Sequence, residues 1–118
     1  MDWKYLFGVF DGRIGRQTFW IGQLVLLLVS TVLHVLVAAI FGSEETGTVI
    51  SALVSIVLLY PYLAVDVKRL HDRDKSGWWM LLALVPVIGW IWFFVELGCL
   101  RGTVGANRFG PDPLPPAA

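Results

Sequence analysis

The sequence predicts an all-α integral membrane protein: about three transmembrane helices plus a short interfacial N-terminal helix. Three observations predict it. The 118-residue chain is 57% hydrophobic and only 15% charged, with a mean hydropathy of +0.72; a soluble domain is about 45–50% apolar and about 25% charged. The apolar excess is gathered into three blocks, 19–42, 47–65 and 77–95, none of which contains Asp, Glu, Lys or Arg. At 1.5 Å of rise per residue, roughly 20 helical residues cross a hydrocarbon core about 30 Å thick, so each block is long enough. A soluble core helix of that length shows a polar face every 3.6 residues, and Leu24-Val25-Leu26-Leu27-Leu28-Val29 shows none. The length suits a single domain, 1–118.

The first element is residues 3–10. Trp3, Leu6, Phe7 and Phe10 follow i, i+3, i+4, i+7 spacing with Lys4 off that face, the pattern of a helix lying in the membrane interface. The apolar run that follows is too long for a signal-peptide core and lacks a prompt small-x-small site. A turn at 11–16 leads to the first span, about 19–42. Glu44 and Glu45 mark the next turn, and the second span is about 47–65, with Pro61 able to kink it. Residues 66–75, Asp-Val-Lys-Arg-Leu-His-Asp-Arg-Asp-Lys, form a knot of seven charged side chains and one histidine in a loop, 66–76. A third span, about 77–100, opens with Ser76 as a candidate cap and carries Pro86 and Gly89, read as a kink. Trp20, Trp78 and Trp79 fall where aromatic rings anchor at an interface. The Gly- and Pro-rich tail, 102–118, reads as irregular, with free last residues.

Basic residues set the orientation. Lys4, Arg13, Arg16, Lys68, Arg69, Arg73 and Lys75 lie before the first span or in the charged loop, and the Glu44–Glu45 turn has none. The positive-inside rule puts the N-terminus and loop 66–76 in the cytoplasm. Three simple spans put the tail outside and Glu96 at the outer end of the third; a re-entrant third segment returns the tail inside, which is allowed where protein covers the irregular backbone.

The net charge is zero, 9 basic against 9 acidic, unlike the basic excess of nucleic-acid binders. Cys99 is single, so it forms no internal disulfide or cysteine cluster. No nucleophile elbow, phosphate loop, zinc-protease motif or dinucleotide fingerprint occurs. No cofactor is implied.

The candidate site is the charged loop, with Arg13, Arg16, Asp66, Arg69, His71, Asp72, Arg73 and Asp74. Its imidazole and carboxylates are of the type that holds a divalent cation, but the interleaved bases offer i, i+3 and i, i+4 partners: Asp66–Arg69, Arg69–Asp72 and Lys68–Asp72. A self-neutralised recognition loop is the reading that counting these pairs favours. Basic side chains here also suit anionic lipid headgroups. A second candidate is the tail motif Asn107, Arg108, Phe109 and Gly110. Within the spans, His34, Ser51 and Ser55 suit interhelical contacts, and a His34-to-Glu96 seam is the path a transporter would need.

Four ordered motifs carry a family resemblance: Gly12-Arg13-Ile14-Gly15-Arg16 with Phe19-Trp20; Arg69-Leu70-His71-Asp72-Arg73-Asp74-Lys75-Ser76-Gly77-Trp78-Trp79; Pro86 with Gly89; and Gly102-Thr103-Val104-Gly105-Ala106-Asn107-Arg108-Phe109-Gly110-Pro111-Asp112-Pro113. Together they resemble domain-of-unknown-function family 805, small bacterial inner-membrane proteins that include the YhaH-like proteins, over roughly residues 3–113. The resemblance implies a multi-pass protein of the bacterial inner (plasma) membrane and transfers no activity. The expected function is therefore a non-enzymatic membrane subunit that contacts the lipid bilayer and binds a protein partner or a second copy of itself. The alternatives are a membrane enzyme or lipid-headgroup factor using His71, Asp72 and Asp74, and an oligomeric small transporter or channel.

Overall fold

Two long helices form the frame of the computed structural model, which describes residues 2–42 and 44–114. The expectations for the last tail residues, 115–118, lie outside the described residues. The frame is an antiparallel pair, α2 (Arg16–Phe41) and α3 (Glu45–Asp72). At 1.5 Å per residue they run roughly 39 and 42 Å, and both are apolar enough to cross a membrane. α2 closes with the Gly42 N–H donating to the Ala38 carbonyl. Glu45 lies in the first turn of α3, where an acidic side chain complements the helix dipole. Pro61 sits within α3 without breaking it.

A short helix, α1 (Trp3–Gly8), precedes the frame. Its N-cap is Asp2, whose carboxylate accepts from the Tyr5 N–H at 3.1 Å. Leu6 is its buried residue and joins Ile14, Phe19, Leu26, Val65, Leu70 and Leu97 in the core. That core lies at one end of the frame, where α1, the start of α2 and the end of α3 meet. The rest of α2 and α3 is largely exposed apolar surface, including Leu24, Leu28, Val35, Ile40, Ile56 and Val57.

The charged segment is not a loop. α3 continues through Asp72, so 66–72 are helical and the chain turns only at Arg73–Ser76. The stop is a Schellman motif: Asp74 takes the left-handed position at φ +58°, its N–H bonds to the His71 carbonyl, and the Lys75 N–H bonds to the Leu70 carbonyl.

The third block is not a single helix. A 3₁₀ helix (Gly77–Leu84) is followed by a tight turn, then α4 (Ile88–Phe93), which passes into a π-helical turn (Phe94–Cys99). Ser76 occupies the N-cap of the 3₁₀ helix but makes no side-chain cap bond. Eight residues at about 2.0 Å each advance roughly 16 Å, about half of a hydrocarbon core, before the chain reverses. The reversal is a γ-turn centred on Val87 (φ +65°, ψ −65°), closed by the Ile88 N–H to the Pro86 carbonyl at 2.8 Å. Pro86 has no N–H to extend the helix, and at Gly89 a Cβ would overlap the Leu82 carbonyl. Pro86 and Gly89, read from sequence as a kink, therefore make a hairpin. Glu96 lies not at the far end of a span but back beside Arg73 and Lys75.

Among the described residues the tail has no strand, only an isolated bridge between Asn107 and Gly110. It is irregular but docked, not extended away from the helices.

Candidate functional site: a buried guanidinium–carboxylate hub

The end of α3 presents four successive buried polar side chains around Leu70: Lys68, Arg69, His71 and Asp72. A helix turns 100° per residue, so these groups point around the whole circumference. That is stable only because four different segments wrap this end.

Asp72 is the centre. Its Oδ1 accepts from Arg13 (Nε, 3.1 Å; Nη2, 3.0 Å) and its Oδ2 from Arg69 Nη1 at 2.5 Å. The three side chains are 1%, 0% and 3% exposed for Arg13, Arg69 and Asp72. Buried ions require both charge partners and full hydrogen bonding, and the remaining donors supply it. Arg13 donates to the carbonyls of Thr103 (2.6 Å), Gly105 (2.7 Å) and Gly110 (3.1 Å). Arg69 donates to the Leu97 carbonyl at 2.7 Å and to that of Leu100. The carboxylate thus joins one guanidinium that holds the tail to another that holds the returning hairpin. Gly102 passes so close that a Cβ would overlap the Asp72 carboxylate, and the Thr103 N–H bonds to the Asp72 carbonyl at 2.7 Å.

Lys68 turns to α1. Its fully buried ammonium donates to the carbonyls of Tyr5, Leu6 (2.7 Å) and Val9. Those are carbonyls at the C-terminal end of α1, which lack partners within the helix and carry the negative end of its dipole. The Tyr60 hydroxyl donates to the Gly8 carbonyl at 2.6 Å. The Tyr5 hydroxyl accepts from the Arg13 N–H at 3.0 Å and lies 3.2 Å from the Arg13 carbonyl. Burial pushes its phenol above the ordinary value, with Asp11 adding to the rise and the Arg13 backbone opposing it.

His71 Nδ1 lies 3.0 Å from the Gly12 carbonyl, and its ring stacks on Phe109 at 4.0 Å between centroids. Asn107 Nδ2 donates to the His71 carbonyl (2.9 Å), and Asn107 Oδ1 accepts from the Phe109 N–H (2.9 Å). Gly110 exchanges two backbone bonds with Asn107. Asp112 holds the tail turn from the other side, accepting from the N–H groups of Leu114 and Gly105; these bonds keep its carboxyl below the ordinary value.

Around the rim, Glu96 accepts from Arg73 (2.9 Å) and Lys75 (2.8 Å). Burial alone would raise its pKa, but the two cations outweigh burial and hold it below the ordinary carboxylate range. Arg108 pairs with Asp74 at 3.2 Å in an exposed contact. Arg16 donates to the Cys99 carbonyl at 2.9 Å, and Trp20 Nε1 to that of Gly98 at 2.9 Å.

Of the pairs expected from helical spacing, Arg69–Asp72 forms. Among the described residues Asp66–Arg69 and Lys68–Asp72 do not; Asp66 instead accepts from Gln23 at 2.6 Å. His71, Asp72 and Asp74 do not converge, because Asp72 points into the hub and Asp74 lies exposed beside Arg108. Among the described residues no three His, Cys, Asp or Glu side chains gather in one place. Arg13, Lys68 and Arg69, counted from sequence as headgroup contacts, are buried on backbone carbonyls instead. Among the described residues of one chain, His34 and Glu96 lie far apart. His34 pairs with Ser55 at 3.1 Å, and Glu96 with Arg73, 18 residues and so roughly 27 Å further along the frame. Sequence reasoning missed Lys68 as the anchor of α1, for which there was no local signal, and the tail carbonyls as ligands of Arg13, for which the turn-forming glycines of 102–110 were the signal.

A long apolar helix pair with a polar hub at one end defines a helical membrane protein. The profile of the family described as Protein of unknown function (DUF805) matches residues 7–111, and the chain belongs to that family. The chain is 40% identical over 120 residues to "Inner membrane protein YhaH" of Escherichia coli (strain K12), covering 96% of this chain and 97% of that one. It is 39% identical over 104 residues to "Inner membrane protein YhaI" of the same strain, covering 88% and 85%. It is 34% identical over 140 residues to that strain's "Uncharacterized protein YiiR", covering 92% and 88%. No solved structure matches.

Proposed function

We propose that this protein is a non-enzymatic, multi-pass subunit of the bacterial inner membrane that assembles with a second copy or a partner helix within the bilayer. α2 and α3 span; the hairpin 77–99 enters from the cytoplasmic side and returns; α1 lies at the cytoplasmic interface, and the hub and both termini are cytoplasmic. The basic residues of 1–18 and 66–76 support this orientation.

The observation that carries assembly is the His34–Ser55 pair. It sits roughly 10–15 Å from the Gly42 end of the frame, and Ser55 is exposed among apolar neighbours Ala52, Leu53, Ile56 and Val57. Within one chain the pair is already bonded, but a polar site facing lipid remains costly, and packing against a second helix covers it. The hub's side chains, by contrast, are buried within the fold. The test is the mass of the protein in nanodiscs at native expression. An oligomer or stoichiometric partner is expected, weakened by Ser55→Leu with His34→Leu; a monomer in parent and variant alike would refute assembly. A reporter fused after Ala118 tests topology: cytosolic fluorescence without alkaline-phosphatase activity is expected.

A further inference from the structure

We propose that the cleft between the helix pair and the hairpin binds the primary ammonium group of an amphiphile, with Asp66 as its counter-charge. The cleft has a volume of about 330 Å³ and is lined by Trp20 and Gln23 of α2, Asp66 of α3, and Trp90, Phe93 and Phe94 of the returning arm. That is the small end of the range of ligand sites, about 300–1,000 Å³, and suits a headgroup-sized moiety.

The chemistry follows from Asp66. Among the described residues it is the only carboxylate of the charged segment without a cation; Asp72 and Asp74 have theirs. Its Oδ1 accepts from Gln23 Nε2 at 2.6 Å, and no protein donor reaches Oδ2 among the described residues. A carboxylate in an apolar wall is stable as an ion only with a counter-charge and donors, and an R–NH₃⁺ group supplies both. The surrounding rings add attraction, since an ammonium within about 6 Å of an aromatic centroid is favoured, most by tryptophan. The walls are fixed: Trp20 Nε1 is bonded to the Gly98 carbonyl and Trp90 Nε1 to that of Ala83 (3.2 Å). The mouth is apolar, with Trp90 and Phe94 exposed, so the ligand carries an apolar tail beside the amine. Asp66 lies six residues before the helix end at Asp72, or roughly 9 Å below the hub, a depth suited to a headgroup entering sideways. The proposal does not depend on the oligomeric state.

The test uses the full chain in dodecyl maltoside micelles. Dodecylamine, dodecanol and dodecyl sulfate are titrated against tryptophan fluorescence, and phosphatidylethanolamine and phosphatidylglycerol are compared by the lipid retained in native mass spectrometry. At least tenfold tighter binding of dodecylamine than of dodecanol is expected. Asp66→Asn, which keeps an acceptor for Gln23, should erase that preference with helical circular dichroism unchanged. Selective retention of phosphatidylethanolamine assigns a membrane lipid; dodecylamine selectivity without it assigns a free amphiphilic amine, and either supports the site. Equal binding of amine and alcohol, or an undiminished preference in Asp66→Asn, overturns it. Should Asp66→Asn not fold, Ala83→Phe fills the cleft from the 3₁₀ wall, and unaltered amine binding in that variant overturns the proposal equally.

Discussion

Replacing Asp72 by alanine should be among the most damaging single changes available to this fold. The side chain is 3% exposed and neutralises two guanidinia that are 1% and 0% exposed. Removing one partner of a buried ion pair costs about 3–5 kcal/mol, because the other charge is left uncompensated; here two are left. The reverse experiment separates charge from scaffolding. Replacing Arg13, Arg69 and Asp72 together by apolar side chains removes the uncompensated charge and, for a simple buried triad, comes close to neutral. It should not do so here. The carbonyls of Thr103, Gly105, Leu97 and Leu100 would lose their arginine donors, while that of Gly110 keeps the Asn107 N–H; Leu97 is buried, and a buried acceptor left unpaired costs about 1–3 kcal/mol. Unfolding by dodecyl sulfate in mixed micelles, followed by tryptophan fluorescence, measures both variants. Limited proteolysis of residues 100–114 reports tail release. An Asp72→Ala protein within 1 kcal/mol of the parent, which is well below the value for a broken buried pair, would refute the hub as a stabilising centre. A neutral triple variant would refute the claim that the arginines hold the fold through carbonyls.

Two further outcomes follow from the same contacts. Lys68→Met should cost about 1–3 kcal/mol by stranding carbonyls of α1, with the loss concentrated there; hydrogen exchange should accelerate at residues 3–9 and little in α2, and uniform acceleration would contradict a local anchor. Glu96 titrates below the ordinary carboxylate value in the folded protein, so its contribution is fully present above the unfolded pKa and is lost as pH falls through the lowered folded value. Acid unfolding of the parent should therefore steepen below the ordinary carboxylate range and flatten in Glu96→Gln; identical acid profiles would remove Glu96 as a hairpin latch.

Most of the helical frame was legible in the sequence because its cause is local. Blocks 19–42 and 47–65 are uncharged and continuous, and such a chain in lipid satisfies its backbone only within a helix. The i, i+3 spacing also gave Arg69–Asp72, since both ends lie on one element. The third block was not legible. Pro86 and Gly89 allow either a kink or a reversal, and the choice lies with Arg69 and Arg73, which grip the Leu97 and Leu100 carbonyls and Glu96 more than twenty residues away. The charged segment misled for a similar reason: seven charges in ten residues read as a solvated loop, because nothing local reveals four peptide segments closing over them.

By itself, then, the sequence determined the class of the protein, the two long helices and the family to which it belongs. Those follow from composition, run length and local spacing, each a property of neighbouring residues. Only the tertiary structure decided that 66–72 extend α3, that 77–99 fold back, that Asp72 is consumed between Arg13 and Arg69, and that Asp66 is left facing an aromatic cleft. The physical reason is long-range pairing: a buried charge goes wherever the fold supplies its partner, and here, apart from the local Arg69–Asp72 pair, those partners lie more than twenty and up to 97 residues apart along the chain.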